Sequence, residues 1–133
     1  MVDVDRMLGV IPVSHTGRWL DSFAALEAMQ PARLVPGHGQ VSGLAHTQAD
    51  TRHYLQVLRT HMKKAVDDGT DLGAAIQSFD AAPFMHLLNA AERHPGNASR
   101  THLQLEREQY RRNAVVWSQN GFCNTNHHAR NRP

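Results

Sequence analysis

Residues typical of β-strands are confined to two short stretches near the start of this chain, and their scarcity limits the folds open to it. Residues 2–13 mix Val, Ile, Leu and Met and reach Pro12, and residues 32–35 form a second apolar run that leads into a glycine turn. Two short strands alone are marginal in water. We therefore expect that partner strands come from another polypeptide or that helices carry the fold.

Helical patterns occupy most of the remaining chain. Apolar residues recur at helical spacing from Arg18 to Met29, where Ser14 or Thr16 can cap the helix start. A longer segment, residues 45–66, contains neither Pro nor Gly and is ended by Gly69. The pattern predicts two amphipathic helices here.

Shorter helices are predicted downstream. Asp71 can cap one, and Pro83 can open another that breaks at Pro95-Gly96. Asn97 or Ser99 then caps a last helical stretch. Beyond it, the polar residues 120–133 are predicted to be loose.

Composition and charge exclude several classes of protein. The chain has 133 residues, of which 41% are apolar and 20% charged, as in ordinary globular domains. Its formal net charge of +2 gives no indication of a nucleic-acid partner. No apolar run is long enough to span a membrane, and the start lacks a signal-peptide pattern. We expect no membrane association and, with localisation otherwise open, a cytoplasmic protein by default.

One segment carries recognisable chemistry, namely Leu34-Val35-Pro36-Gly37-His38-Gly39. A strand followed by a glycine-flanked turn presents a single imidazole, which is a common zinc ligand. The alternative is a structural histidine that packs on a helix and bonds a carbonyl group. A zinc ion needs three or four protein ligands, so His38 by itself does not make a site.

The other nine histidines give no compact chelate between two histidines of one helix. His46 and His53 are seven residues apart, His53 and His61 eight, and His86 and His94 eight, whereas ligand pairs on one helix are three or four apart. Surface or packing roles are favoured for them. The adjacent pair His127-His128 has no third ligand nearby and is assigned no function.

The chain resembles the metallo-β-lactamase superfamily, particularly the zinc metallohydrolases linked to quinoprotein and sulfur-oxidation systems. The resemblance runs from Val4-Asp5-Arg6 through Trp19 and Phe23 to the Pro-Gly-His-Gly turn, which in that family supplies the last metal-binding histidine. Residues 61–66 and 89–100 are similar to the C-terminal region of the same group.

This resemblance implies an α+β fold, in which a short N-terminal strand-helix-strand unit of the metallo-β-lactamase αββα fold is followed by a mainly helical C-terminal region. Residues 1–106 would form the C-terminal part of such a domain, and residues 107–133 a helix end with a loose basic tail.

The family's upstream His-x-His-x-Asp-His motif, a further histidine and a bridging aspartate are missing from this sequence. The alignment puts the bridging aspartate just before Met1, so the ligand role is not transferred to Asp3 or Asp5. Only His38 carries over as a metal ligand. The resemblance therefore implies a fragment of a zinc-dependent hydrolase that is inactive alone and holds no zinc stably, which leaves open whether the chain itself is an enzyme.

Two kinds of partner follow from these expectations. A fragment would need the missing N-terminal half of the hydrolase. Alternatively, unpaired strands and exposed helix faces would make the chain a non-catalytic helical interaction module that pairs with itself as a homodimer or with a partner chain.

Overall fold

The structure, a computed structural model, describes the backbone of residues 1–120 and the side chains of residues 1–117. Its helical elements, in chain order, are α1 (Thr16–Ala28), α2 (Leu44–Thr47), a π-helical segment (Gln48–His53), α3 (Tyr54–Asp67), α4 (Leu72–Gln77), a 3₁₀ turn (Ala82–Phe84) and α5 (Ala90–Asn120). The π-helical segment joins α2 to α3 without a break. Among the described residues, no helix combines the length and the hydrophobicity that a bilayer crossing requires.

The predicted α+β fold with a strand-helix-strand unit is wrong, because residues 1–120 contain no β-sheet. The two strand-like stretches make only isolated bridges, which join Asp3 to His38, Arg6 to Leu88 and Leu34 to Ser42. Each bridge has a different partner segment, so no ladder forms between strands. The chain is a mainly helical protein with an extended N-terminal segment.

This extended segment, residues 3–10, lies in the core. Val4, Met7, Leu8 and Val10 are at most 1% exposed, and three of them belong to the main hydrophobic cluster with the buried faces of α3 and α5. A buried backbone must satisfy its amide and carbonyl groups within the protein. Residues 3–10 therefore depend on hydrogen-bond partners outside any sheet.

Those partners are loop carbonyls and polar side chains. The amide of Val4 donates to the carbonyl of His38 at 3.0 Å, and the amide of Met7 donates to the carbonyl of Leu88 at 3.0 Å. The side chain of Asn97 accepts from the amide of Val10 at 2.7 Å and donates to the carbonyl of Leu8 at 2.8 Å. A single asparagine thus replaces the neighbouring strand at one end of the segment.

The helices predicted around α1 and α3 are confirmed. The cap of α1 is neither Ser14 nor Thr16 but His15, whose Nδ1 accepts from the amide of Arg18 at 3.3 Å. Thr16 is buried and donates instead to Gln104 Oε1. The predicted cap of α4 is confirmed, since the Asp71 side chain accepts from the amide of Ala74 at 3.0 Å.

The predicted break at Pro95-Gly96 and the predicted caps Asn97 and Ser99 are wrong. Helix α5 runs through all four residues. Pro95 lacks an amide and removes one hydrogen bond from the helix. Its neighbours form a buried face at 7% exposure or less (His94, Asn97, Ala98 and Thr101). Burial of this face against α3 and α4, together with the bonds from Asn97 to the extended segment, outweighs the lost hydrogen bond.

The predicted helix opened by Pro83 is also wrong, because the structure has only the 3₁₀ turn there and α5 begins at Ala90. The predicted boundary at residues 106 and 107 lies inside α5 and stays a prediction. From residue 110 to residue 117 every side chain is exposed. The predicted loose tail beyond Asn120 falls outside the described residues.

Replacing Asn97 with Ala is expected to lower the free energy of unfolding by about 2–4 kcal/mol, because two buried backbone groups lose their partner. Alanine is the better helix former, so helix propensity alone predicts that this substitution raises the free energy of unfolding. Urea unfolding monitored by circular dichroism measures the change. The neighbouring, partly exposed Ser99→Ala is the control, and equal stability of the two variants would contradict this role for Asn97.

Candidate functional site

The turn at residues 36–39 presents His38 beside a buried carboxylate. Nδ1 of His38 lies 3.0 Å from Oδ1 of Asp3. The Asp3 side chain is 5% exposed and the His38 side chain 52%. An ionised carboxylate oxygen only accepts hydrogen bonds, so Nδ1 is the donor and the Nε2 lone pair of the neutral ring remains for another ligand.

The backbone fixes the turn against the extended segment. The amide of Gly37 donates to the carbonyl of Val2 at 2.8 Å. Gly39 has a φ of +102°, and a Cβ atom there would stand 2.2 Å from the carbonyl oxygen of Val4. Thr51 holds the other side, since its Oγ1 accepts from the amide of Asp3 at 3.0 Å and donates to the carbonyl of Asp3 at 2.7 Å. The backbone bond of the turn and the two bonds from Thr51 therefore hold Asp3 and His38 side by side.

This pair fits part of a zinc site. Metal-bound histidines commonly donate their other ring nitrogen to a carboxylate, which fixes the tautomer and the ring orientation. The alternative of a structural histidine that bonds a carbonyl group does not fit this geometry, because Nδ1 of His38 contacts the carboxylate of Asp3. The pair supplies one ligand and its orienting carboxylate, while zinc takes three or four protein ligands.

A cleft of about 470 Å³ opens beside this pair. Its lining includes the pair itself, an indole and guanidinium groups (Asp3, His38, Trp19, Arg6, Arg18 and Arg93). Arg93 packs closely on Gly9, where an added Cβ atom would lie 2.5 Å from Nη1. The cleft therefore combines a candidate metal ligand with cationic side chains.

A second cluster joins Asp5 to His46 and Asp50, which both lie more than 40 residues later in the sequence. Nε2 of His46 lies 3.0 Å from Oδ1 of Asp5 and 3.2 Å from Oδ2 of Asp50. Nε2 of His86 is 3.9 Å from Oδ1 of Asp50. His46 and Asp50 are four residues apart, so their spacing in the sequence indicates half of this cluster, although no pair of histidines has that spacing. Asp5 joins it only through the fold.

His94 is a core residue in the structure. Its ring stacks on Phe79 with centroids 4.5 Å apart, and its Nδ1 is 3.0 Å from the hydroxyl of Tyr54. Burial lowers the pKa of His94 from its ordinary value of 6.5, and Coulombic repulsion between its protonated form and His61 lowers it further. Burial also raises the pKa of Tyr54. The packing role predicted for this histidine fits these contacts.

Comparisons of the chain with protein-family models, with curated proteins and with solved structures give no match. The resemblance to the metallo-β-lactamase superfamily stays a prediction from the residues quoted above.

Stability is expected to fall as the pH drops below about 6.5. The unfolded chain then binds a proton at His94, while the folded chain resists it because the folded-state pKa is lowered. A His94→Gln variant should show a shallower loss of unfolding free energy between pH 7 and the lowered pKa. Urea titrations at several pH values measure this slope, with the exposed His53→Gln as the control. The hypothesis fails if both variants keep the wild-type slope.

Proposed function

We propose that this chain is the part of a metallo-β-lactamase-type hydrolase that contributes one zinc ligand, His38, to a site completed by another polypeptide segment. The observation that carries the proposal is the hydrogen bond between Nδ1 of His38 and the buried Asp3 carboxylate. It orients the ring and leaves Nε2 as the metal-binding atom. Asp3 acts here as a positioning residue.

The missing ligands define what the chain does by itself. Bound zinc would lower the pKa of a water molecule and polarise the scissile bond. One imidazole cannot retain the ion at a catalytic site. We therefore expect no hydrolysis by the chain alone. The partner it needs is a polypeptide with the family's His-x-His-x-Asp-His motif.

The cleft beside His38 supports an anionic substrate for the assembled site. Arg6, Arg18 and Arg93 are among its lining residues, and the planar guanidinium group of arginine binds carboxylate or phosphate with paired hydrogen bonds. Trp19 adds an apolar wall. A negatively charged ester, thioester or lactam fits this combination of side chains better than a cationic one.

The proposal is tested by mixing the purified chain with a polypeptide that carries the His-x-His-x-Asp-His motif and measuring zinc content and hydrolysis of chromogenic esters and β-lactams. Zinc-dependent hydrolysis is expected from the mixture only. His38→Ala should abolish it. Asp3→Asn should weaken the zinc affinity of the assembled site about 10- to 100-fold, as expected for loss of an orienting carboxylate.

His53→Ala is the matched control, since this exposed histidine does not line the cleft. A mixture that hydrolyses equally well with His38→Ala would contradict the ligand role. A mixture without any gain of zinc-dependent hydrolysis would remove the support for a divided hydrolase.

A second candidate function is self-association through α5, in line with the alternative of a helical interaction module. Leu103, Tyr110 and Trp117 are spaced seven residues apart and are 41%, 76% and 78% exposed. A seven-residue repeat of apolar side chains is typical of a helix that pairs with another helix. A second copy of the chain has the same row of exposed apolar side chains. In a twofold dimer this surface of one copy would contact the same surface of the other.

Sedimentation equilibrium tests this candidate. The double variant Tyr110→Glu, Trp117→Glu should convert a dimer to a monomer, because two charges would be buried in the pairing surface. Arg112 is on the opposite side of the helix. The control variant Arg112→Glu should therefore leave the dimer intact. A wild-type chain that stays monomeric across the concentration range would exclude the homodimer.

A further inference from the structure

The second cluster, formed by Asp5, His46 and Asp50, offers three metal-binding atoms at one point. All three atoms lie within 4.8 Å of one another. The separations from His46 Nε2 to the two carboxylate oxygens are 3.0 and 3.2 Å. In a tetrahedral zinc site with bonds of about 2.1 Å, neighbouring ligand atoms are about 3.4 Å apart. Outward movements of a few tenths of an ångström would bring these two separations to the value of a zinc site.

The helical elements fix two of the three residues. His46 belongs to α2 and Asp50 to the π-helical segment that follows it, so that their side chains meet across one turn. Single π-helical turns within α-helices occur frequently at functional sites. Asp5 is brought to this turn by its backbone, since its amide donates to Oδ2 of Asp50 at 2.7 Å. Asp5 itself has a φ of 60°, which is uncommon for a residue other than glycine.

The burial of the Asp50 carboxylate is the second observation that points to a cation ligand. Its side chain is 5% exposed, yet within the described part of the chain its ion-pair partners are the imidazoles of His46 and His86 and no Lys or Arg. Buried carboxylates are normally paired with a permanent cation or coordinate a metal.

We propose that Asp5, His46 and Asp50 bind a divalent transition-metal cation of the zinc class. Two carboxylates and one imidazole match the nitrogen and oxygen donors that zinc accepts, and they leave a further coordination position for water. The side chains of Asp5, His46 and His86 are 57%, 48% and 66% exposed, so solvent reaches the site and an ion can enter. The buried Asp50 anchors the ion from the protein side.

This site is independent of the proposed hydrolase function. His38 is not among its ligands, and no second polypeptide is needed to complete it. Its ligands are one histidine of a helix, an aspartate one turn later and an aspartate from the extended segment. The site therefore does not depend on two histidines at chelating spacing on one helix.

Zinc and cobalt titrations of the full chain test the site. A His127→Ala, His128→Ala background excludes binding by the terminal histidine pair. We expect one saturable Zn²⁺ per chain by isothermal titration calorimetry and a Co²⁺ visible spectrum with imidazole and carboxylate character. Zinc should also raise the melting temperature, because the ion binds the folded chain.

His46→Ala should lower the zinc affinity at least tenfold and remove the rise in melting temperature, and Asp5→Asn should act in the same direction. Both side chains are about half exposed, so neither substitution should prevent folding. His53→Ala, which replaces an exposed histidine outside the cluster, is the matched control and should bind zinc as the parent does. The proposal is overturned if the parent chain shows no saturable binding, or if His46→Ala and Asp5→Asn bind zinc as tightly as the parent.

Discussion

The hydrogen bonding of the buried extended segment, residues 3–10, is the constraint on which the described structure depends. Four apolar side chains of this segment lie in the core, and its backbone has no neighbouring strand. The backbone groups are satisfied one at a time by the turn at His38, by the carbonyl of Leu88, by the side chain of Asn97 and by residues of the π-helical segment. These contacts place the loops and helices around one central segment.

The same contacts create both candidate sites. Asp3 and Asp5 are two residues apart in the extended segment, and each meets a histidine from a different element. Neighbouring residues of the π-helical segment hold them, since Thr51 binds the backbone of Asp3 and Asp50 accepts from the amide of Asp5. A change in the π-helical turn would therefore disturb both sites together. Fold and candidate chemistry share the same hydrogen bonds.

Local patterns predicted some elements well and others poorly for identifiable reasons. The helix at α1 and the Asp71 cap depend on spacing and on a side chain that reaches its own helix, and both are confirmed. Pro95-Gly96 is a strong local signal for a break, and that prediction failed because Asn97 bonds to the extended segment and its neighbours in α5 are buried against other helices. The strand-helix-strand prediction failed because an apolar run of strand-forming residues does not distinguish a sheet strand from a buried extended segment bonded by side chains.

The sequence by itself determined the helical content of the first two-thirds of the described chain and singled out His38, because periodicity, caps and a glycine-flanked histidine are local properties. Only the tertiary structure decided that Asp3 orients His38 and that Asp5 joins His46 and Asp50. Those pairs are separated by 35 residues or more in the chain. They meet because burial of residues 3–10 forces distant polar groups to satisfy its backbone, a requirement that no local pattern encodes.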